Sequence, residues 1–139
     1  MGQSKKIEAF SDGGSRGNPG PAAIAYAIYD ESGALVDSGA RSIGRATNNE
    51  AEYQALLLAM ERACVHSKDT AHFFLDSEFV VRQVNGQYRA KDERMRGYLQ
   101  KVLSKMKCFR LVRLTHVSRE NHRTQLVDKM VNDLLDRSG

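Results

Sequence analysis

A carboxylate inside the apolar stripe of a helix is the feature that most constrains the fold of this chain. Residues 47–64, TNNEAEYQALLLAMERAC, are mostly strong helix formers. Thr47 and Glu50 have the three-residue spacing of a capping box, which predicts that the helix begins here. At about 100° per residue, Glu52 lies in line with Leu56 and the alanines after it, whereas Glu50 falls on the opposite, solvated side. Since a carboxylate at the edge of a buried stripe costs free energy unless a partner satisfies it, Glu52 is the first indication of a site.

The order of the predicted elements indicates one α/β domain, over 1–139, with a five-stranded mixed sheet flanked by helices. Alternating or apolar stretches predict five strands, at 5–11, 22–30, 34–43, 71–75 and 109–116. Apolar residues at helical spacing predict three helices besides the one at 47–64, at 77–84, 95–107 and 125–137. The glycines and prolines of 13–21 predict a turn. Three strands joined by turns favour an antiparallel meander, and the later alternation of helices and strands favours two parallel strands.

The composition excludes several classes of protein. With 41% hydrophobic and 27% charged residues, the chain is typical of a folded domain and not of a disordered one. No apolar run approaches the ~20 residues of a membrane span and no signal-peptide core is present, so we expect a cytoplasmic monomer without a membrane partner. The net charge of +4 mildly favours a polyanionic partner. Cys64 and Cys108 are expected to be reduced, packed thiols, with a disulfide as the open alternative.

Four acidic residues from separate segments are predicted to converge at one edge of the sheet. Asp12 and Asp76 each end an apolar strand, and the carboxyl ends of parallel strands meet where open α/β sheets bind ligands. Glu52 begins the helix between these strands, and Asp128 borders the apolar stripe of the last helix. Because carboxylates at close range repel, such a cluster persists mainly when cations such as Mg²⁺ or Mn²⁺ neutralise it. Two such metal ions about 4 Å apart suit phosphodiester hydrolysis. The alternative is that each acid is a solvated or capping residue.

Four motifs, in chain order, resemble those of the type 1 ribonuclease H family. They are SDGGSRGNPGP (11–21), TNNEAEYQAL (47–56), LDSEFVVRQVNG (75–86) and HVSREN…VDKMVN (116–132). The resemblance implies the ribonuclease H-like fold and an endonuclease that uses two Mg²⁺ ions, with Mn²⁺ as a substitute. It implies hydrolysis of the RNA strand of RNA–DNA hybrids, with 5′-phosphate and 3′-hydroxyl ends on the products. The family's catalytic, metal-binding acids correspond to Asp12, Glu52, Asp76 and Asp128.

The resemblance also implies where the hybrid binds. The positions that the family uses in the minor groove correspond to Gly13, Asn18, Asn48 and Asn49. The minor groove of such a duplex exposes the 2′-hydroxyls that distinguish RNA from DNA. From the residues alone, Asn18 is equally well explained as a turn residue, and Asn48 and Asn49 as helix caps.

The chain departs from the family pattern in two places. Segment 88–94 mixes acidic and basic residues where some members carry a basic run, so we expect a salt-sensitive affinity for the hybrid. The loop 118–123, SRENHR, differs in spacing from the loop that holds a mobile histidine in many members. Arg119 and His122 are the candidates for that role, and a solvated histidine is the alternative. Two other functions stay open. One is a non-catalytic module that binds hybrids or double-stranded RNA, and the other is an enzyme whose substrate is instead double-stranded RNA or a hybrid with an RNA–DNA junction.

Overall fold

The computed structural model describes residues 5–138 and contains one five-stranded mixed sheet with four helices in that part of the chain. In chain order the elements are β1 (Lys6–Ser15), β2 (Gly20–Tyr29), β3 (Leu35–Ala46), α1 (Asn48–His66), β4 (Thr70–Leu75), α2 (Glu78–Val84), α3 (Glu93–Met106), β5 (Leu111–His116) and α4 (His122–Ser138). The strand order across the sheet is β3-β2-β1-β4-β5. The first three strands pair antiparallel and the last two run parallel to β1, which confirms the predicted fold class.

The register of the two central strands places two of the predicted acids side by side. Parallel pairing of β1 with β4 ends at the pair Ser11 and Leu75. The next residue on each strand is an aspartate, Asp12 on β1 and Asp76 after β4. The sheet therefore brings these two residues to the same edge, as the strand pattern predicted.

Helices α1 and α4 cover opposite faces of the sheet. Side chains of alternate residues on a strand point to opposite faces, and those of Ile7 and Ala9 pack with α1 in the larger core cluster. Phe10, with the opposite orientation, packs with Val127 and Val131 of α4 in a second cluster. Full burial of a side chain of this size contributes about 2 kcal/mol. Both helices are thus fixed against β1, the strand that carries Asp12.

Several element boundaries differ from the predicted ones. The first strand continues through Ser15, where a turn was expected, because Gly13, Gly14 and Ser15 pair antiparallel with β2 after β1 has left β4. Helix α4 begins at His122 and not at residue 125, since the Asn121 side chain accepts hydrogen bonds from the first amides of the helix. Asp92 caps α3 in the same way, so α3 begins at residue 93 instead of 95. The last strand begins at residue 111, two residues later than predicted.

The prediction that Glu50 is solvated is wrong. The capping box with Thr47 is present, and Glu50 accepts a hydrogen bond of 2.9 Å from the Thr47 amide. The residue is nevertheless only 9% exposed, because α3 packs beside the start of α1 and Arg94 pairs with Glu50 Oε2 at 3.1 Å. The hydrogen bond from the Thr47 amide, followed by the pairing with Arg94, lowers the pKa of Glu50 although burial alone would raise it.

The expectation of two reduced thiols is also wrong. Cys64 and Cys108 form a disulfide with their Cα atoms 6.3 Å apart. The bond joins the last turns of α1 to the turn that follows α3 and closes a loop of 44 residues. A cross-link of this kind typically stabilises a fold by about 2–4 kcal/mol. Within residues 5–138, none of the helices combines the length and the apolar character that crossing a bilayer requires.

Candidate active site

Three of the four predicted acids meet in one cluster, hereafter the acidic cluster: Asp12, Glu52 and Asp76. One carboxylate oxygen from each lies within 4.8 Å of the others. Asp12 comes from β1, Glu52 from the first turns of α1, and Asp76 from the residue after β4. Asp12 and Glu52 are 7% and 6% exposed, so the cluster has little water to solvate its charge. Separation of the three residues by about 40 and 24 positions along the chain shows that the fold, not local sequence, assembles the cluster.

A close approach between β1 and α1 holds Glu52 in place. The Gly13 amide donates a hydrogen bond of 2.8 Å to Glu52 Oε1. A Cβ atom at Gly13 would lie 2.2 Å from the Ala51 carbonyl oxygen, closer than any real contact. Only glycine lets the strand reach the helix backbone here. Gly13, expected as a substrate contact, therefore has a structural role in positioning a carboxylate.

The acidic cluster is poorly stabilised by the protein alone. Burial, followed by repulsion from Glu52, Asp76 and Asp128, raises the pKa of Asp12 to about 9. Burial, followed by repulsion from Asp76, raises the pKa of Glu52 to about 7, although the hydrogen bond from Gly13 opposes the shift. Asp12 and Glu52 therefore resist full ionisation at neutral pH unless a cation compensates them. Three converging carboxylates are the hard oxygen ligands that Mg²⁺ and Mn²⁺ prefer, so the residues present fit such an ion.

Asp128 lies next to the acidic cluster but outside its compact core. It is exposed on α4, and its charge contributes to the raised pKa of Asp12. Its Oδ2 also accepts a hydrogen bond of 3.3 Å from Asn132, one turn later on the same helix. The structure thus brings all four predicted acids to one edge of the sheet, with Asp128 as the most solvated member.

Of the two loop residues considered for an auxiliary role, Arg119 reaches the site. Its Nε lies 3.3 Å from Asp76 Oδ2, and its side chain is 89% exposed, whereas that of Asp76 is 8% exposed. His122 is an exposed residue in the first turn of α4. The loop spacing alone gave no reason to prefer either residue.

The asparagines predicted to contact substrate surround the start of α1. Asn18 Oδ1 accepts a hydrogen bond of 2.9 Å from the Asn48 amide, which ties the turn after β1 to the helix. Thr47 caps the helix, so capping does not explain Asn48 or Asn49. Both side chains are exposed, four and three residues before Glu52. Helix capping, the alternative to substrate contact, therefore does not account for the side chains of Asn48 and Asn49.

Comparison with known proteins agrees with this geometry. Residues 10–133 match the family model described as reverse transcriptase-like. Ribonuclease HI of Halobacterium salinarum is 36% identical over 131 residues, which cover 94% of this chain and 65% of that protein. The crystal structure of RNase H1 from the same species has a TM-score of 0.89 at 35% identity and covers 95% of this chain and 98% of that one. The chain belongs to the type 1 ribonuclease H family.

Two further ribonucleases H are similar over nearly the whole chain. LC11-RNase H1, solved in complex with an RNA/DNA hybrid, is 32% identical with a TM-score of 0.87, and the match covers 95% of this chain and 98% of that one. The N-terminal RNase H domain of a Mycobacterium tuberculosis protein is 30% identical with a TM-score of 0.85, over 92% and 97% of the two chains. The curated relatives are longer: this chain spans 65% of the Halobacterium protein and 36% of the bifunctional mycobacterial protein.

Proposed function

We propose that the protein is a metal-dependent endonuclease that hydrolyses the RNA strand of RNA–DNA hybrids and leaves 5′-phosphate and 3′-hydroxyl ends. The observation that carries the proposal is the acidic cluster, whose carboxylate oxygens lie within 4.8 Å of one another at the edge of a ribonuclease H fold. Support for the substrate comes from LC11-RNase H1, a relative solved with an RNA/DNA hybrid.

In this proposal Asp12, Glu52 and Asp76 hold two Mg²⁺ ions, with Mn²⁺ as a substitute, and Asp128 is the fourth, solvent-accessible ligand. When bound, such ions activate a water molecule and stabilise the leaving oxygen of the phosphodiester. The protein's own contribution is to fix the ligands: the Gly13 amide holds Glu52, and the β1–β4 register fixes the two aspartates. Burial of Asp12 and Glu52 makes a divalent cation the natural partner of the charge.

Substrate recognition follows from what surrounds the acidic cluster. Asn48 and Asn49 present exposed side chains beside it, and Asn18 fixes the turn that faces them. We assign them, with the backbone at Gly13, to the minor groove of the hybrid, where 2′-hydroxyls identify the RNA strand. Contacts of this kind read the sugar and the backbone, so little sequence preference is expected.

A cleavage assay tests the proposal. End-labelled RNA–DNA hybrid, RNA–RNA duplex and DNA duplex with a single ribonucleotide are incubated with the protein and Mg²⁺, and the product ends are identified. The expected result is Mg²⁺-dependent shortening of the RNA strand of the hybrid. A protein that shifts the hybrid in a gel without shortening it would instead be a binding module, and cleavage confined to RNA–RNA duplex would change the substrate.

A further inference from the structure

A buried glutamine links the helix that carries Glu52 to the segment between α2 and α3. This segment, residues 85–92, is called the connector below. It has no regular secondary structure, and the side chains of Tyr88, Arg89 and Lys91 on it are exposed. Its aromatic and basic side chains suit contacts with a nucleic-acid backbone. How the connector is held therefore matters for binding.

Gln83 makes the link with both ends of its side-chain amide. It lies in α2 and is only 2% exposed. Its Oε1 accepts a hydrogen bond from the hydroxyl of Tyr53, a fully buried residue of α1 next to Glu52. Its Nε2 donates a hydrogen bond of 3.2 Å to the backbone carbonyl of Arg89 in the connector. One side chain thus bridges helix α1 and the connector.

The chemistry of the position requires an amide. Tyr53 needs an acceptor for its hydroxyl and the Arg89 carbonyl needs a donor, and glutamine supplies both from one side chain. Burial of a polar side chain is unfavourable unless its hydrogen bonds are made, so a core position in α2 favours an apolar residue by default. The backbone amides of residues 87 and 88 also hold the connector by donating to the Arg82 carbonyl, and the Asn85 side chain donates to the Leu114 carbonyl. Arg96 donates to the carbonyls of Ala90 and Lys91 from the surface, whereas Gln83, which holds the Arg89 carbonyl, is buried.

We propose that Gln83 is a positioning residue for hybrid binding, which acts by fixing the connector against the helix that bears Glu52. The proposal rests on the proposed function, because the ligand of the connector is taken to be the RNA–DNA hybrid. It assigns Gln83 no contact with the reacting atoms. Its loss therefore affects the affinity for the hybrid and leaves the chemical step unchanged.

Two variants separate this role from a purely structural one. Tyr53→Phe and Gln83→Leu both remove the hydrogen bond between Tyr53 and Gln83, so both are expected to lower the melting temperature. Only Gln83→Leu also releases the Arg89 carbonyl. We expect it alone to raise KM for the hybrid, by about three- to tenfold, the effect of one lost hydrogen bond, with kcat unchanged. Gln83→Met, which keeps the length of the side chain, serves as a second variant if the leucine variant fails to fold.

The outcomes are unambiguous. A rise in KM confined to the Gln83 variants supports the proposal. Equal changes in KM for Tyr53→Phe and Gln83→Leu, no change in either, or a fall in kcat at constant KM overturns it. Binding of a fluorescent hybrid measured by anisotropy in EDTA gives the same comparison without catalysis. If the wild-type protein binds but does not cleave, the proposed function fails while the Gln83 comparison remains valid.

Discussion

Two aspartates on the same sheet have opposite environments. Asp37, on β3, accepts hydrogen bonds from Tyr26 at 2.8 Å, Arg62 at 3.0 Å and His66 at 2.9 Å. Burial alone would raise its pKa, but the hydrogen bonds from these three donors lower it below the usual value. Asp12, on β1, is surrounded by other acids, and burial and their repulsion raise its pKa to about 9. The protein satisfies the first carboxylate and leaves the second without compensating charge.

The difference distinguishes a carboxylate that the protein itself partners from one that we propose to be a metal ligand. The donors to Asp37 come from β2 and α1, so that residue fastens the edge strand to the helix. Asp12 has no such set of donors among the interactions that shift its pKa, and the exposed guanidinium of Arg119 contacts the neighbouring Asp76. A fold that places acids together without compensation loses stability unless a ligand supplies the missing charge. These electrostatics support the proposal that the acidic cluster binds a cation, and the predictions below test that contrast.

The largest expected effect is on the cleavage rate, when asparagine replaces Asp12 and, for comparison, Asp37. Asp12→Asn should lower the rate of hybrid cleavage about 1000-fold, equivalent to about 4 kcal/mol, because a ligand of the proposed metal site is lost. Asp37→Asn should keep the activity within about twofold and lower the free energy of unfolding by about 2 kcal/mol, because charged hydrogen bonds are lost. Cleavage kinetics and urea denaturation measure both. Full activity of Asp12→Asn, or an equal loss in both variants, would contradict the contrast.

In EDTA, the two aspartates should make the free energy of unfolding depend on pH in opposite directions. The folded protein retains the proton of Asp12 up to about pH 9, whereas the unfolded chain releases it near 4. Stability should therefore fall as pH rises through this window, by at most about 1.4 kcal/mol per pH unit. Asp37, with a lowered pKa, contributes stability that is present above the pKa of the unfolded chain and is lost as pH falls through the folded pKa.

Thermal melts between pH 3 and 9 measure the direction in which stability changes with pH. Asp12→Asn should flatten the decline of stability above pH 4, with a residual slope up to about pH 7 from Glu52. Asp37→Asn should reduce the loss of stability in acid and leave the decline above pH 4 unchanged. A wild-type protein that becomes more stable between pH 5 and 8 without metal would show that the acidic cluster does not destabilise the fold.

Addition of Mg²⁺ should stabilise the wild-type protein and not Asp12→Asn. At ten times the dissociation constant a ligand adds about 1.4 kcal/mol, which for a domain of this size raises the melting temperature by about 4 °C. Asp37→Asn should keep the full shift, since its carboxylate is already partnered by the protein. Melts with Mg²⁺ and with the same concentration of a monovalent salt separate binding from screening. Equal shifts in all three proteins would argue against a site at Asp12.

The acidic cluster could be predicted from the sequence, whereas the environment of Asp37 could not. Asp12 and Asp76 end apolar strands and Glu52 borders a buried stripe, so periodicity and strand ends located the acidic cluster. Glu50 was wrongly predicted to be solvated because its position on α1 gives no information about α3, whose Arg94 pairs with it. A helical wheel describes one helix, whereas burial depends on what packs against it.

The partners of Asp37 and the disulfide had no such signal. Asp37 lies 25 and 29 residues before Arg62 and His66, and only the packing of β3 against α1 brings them together. Cys64 and Cys108 are 44 residues apart, and their pairing depends on the position of α3 beside α1. These contacts depend on how the edge strand and the helices pack against one another, which the local pattern of residues does not encode.

The smallest expected effect concerns Arg119, the residue that makes the contrast between the two aspartates incomplete. The Arg119 side chain is 89% exposed, so Arg119→Ala should barely change stability. Because the guanidinium competes with a cation for the same carboxylate, the variant should bind Mg²⁺ more tightly, by less than about fivefold, and the gain should shrink at high salt. Calorimetric titration at two ionic strengths measures it, with Arg137→Ala, an exposed arginine at the end of α4, as the control. Weaker Mg²⁺ binding in Arg119→Ala would mean that the arginine supports the metal site rather than competing with it.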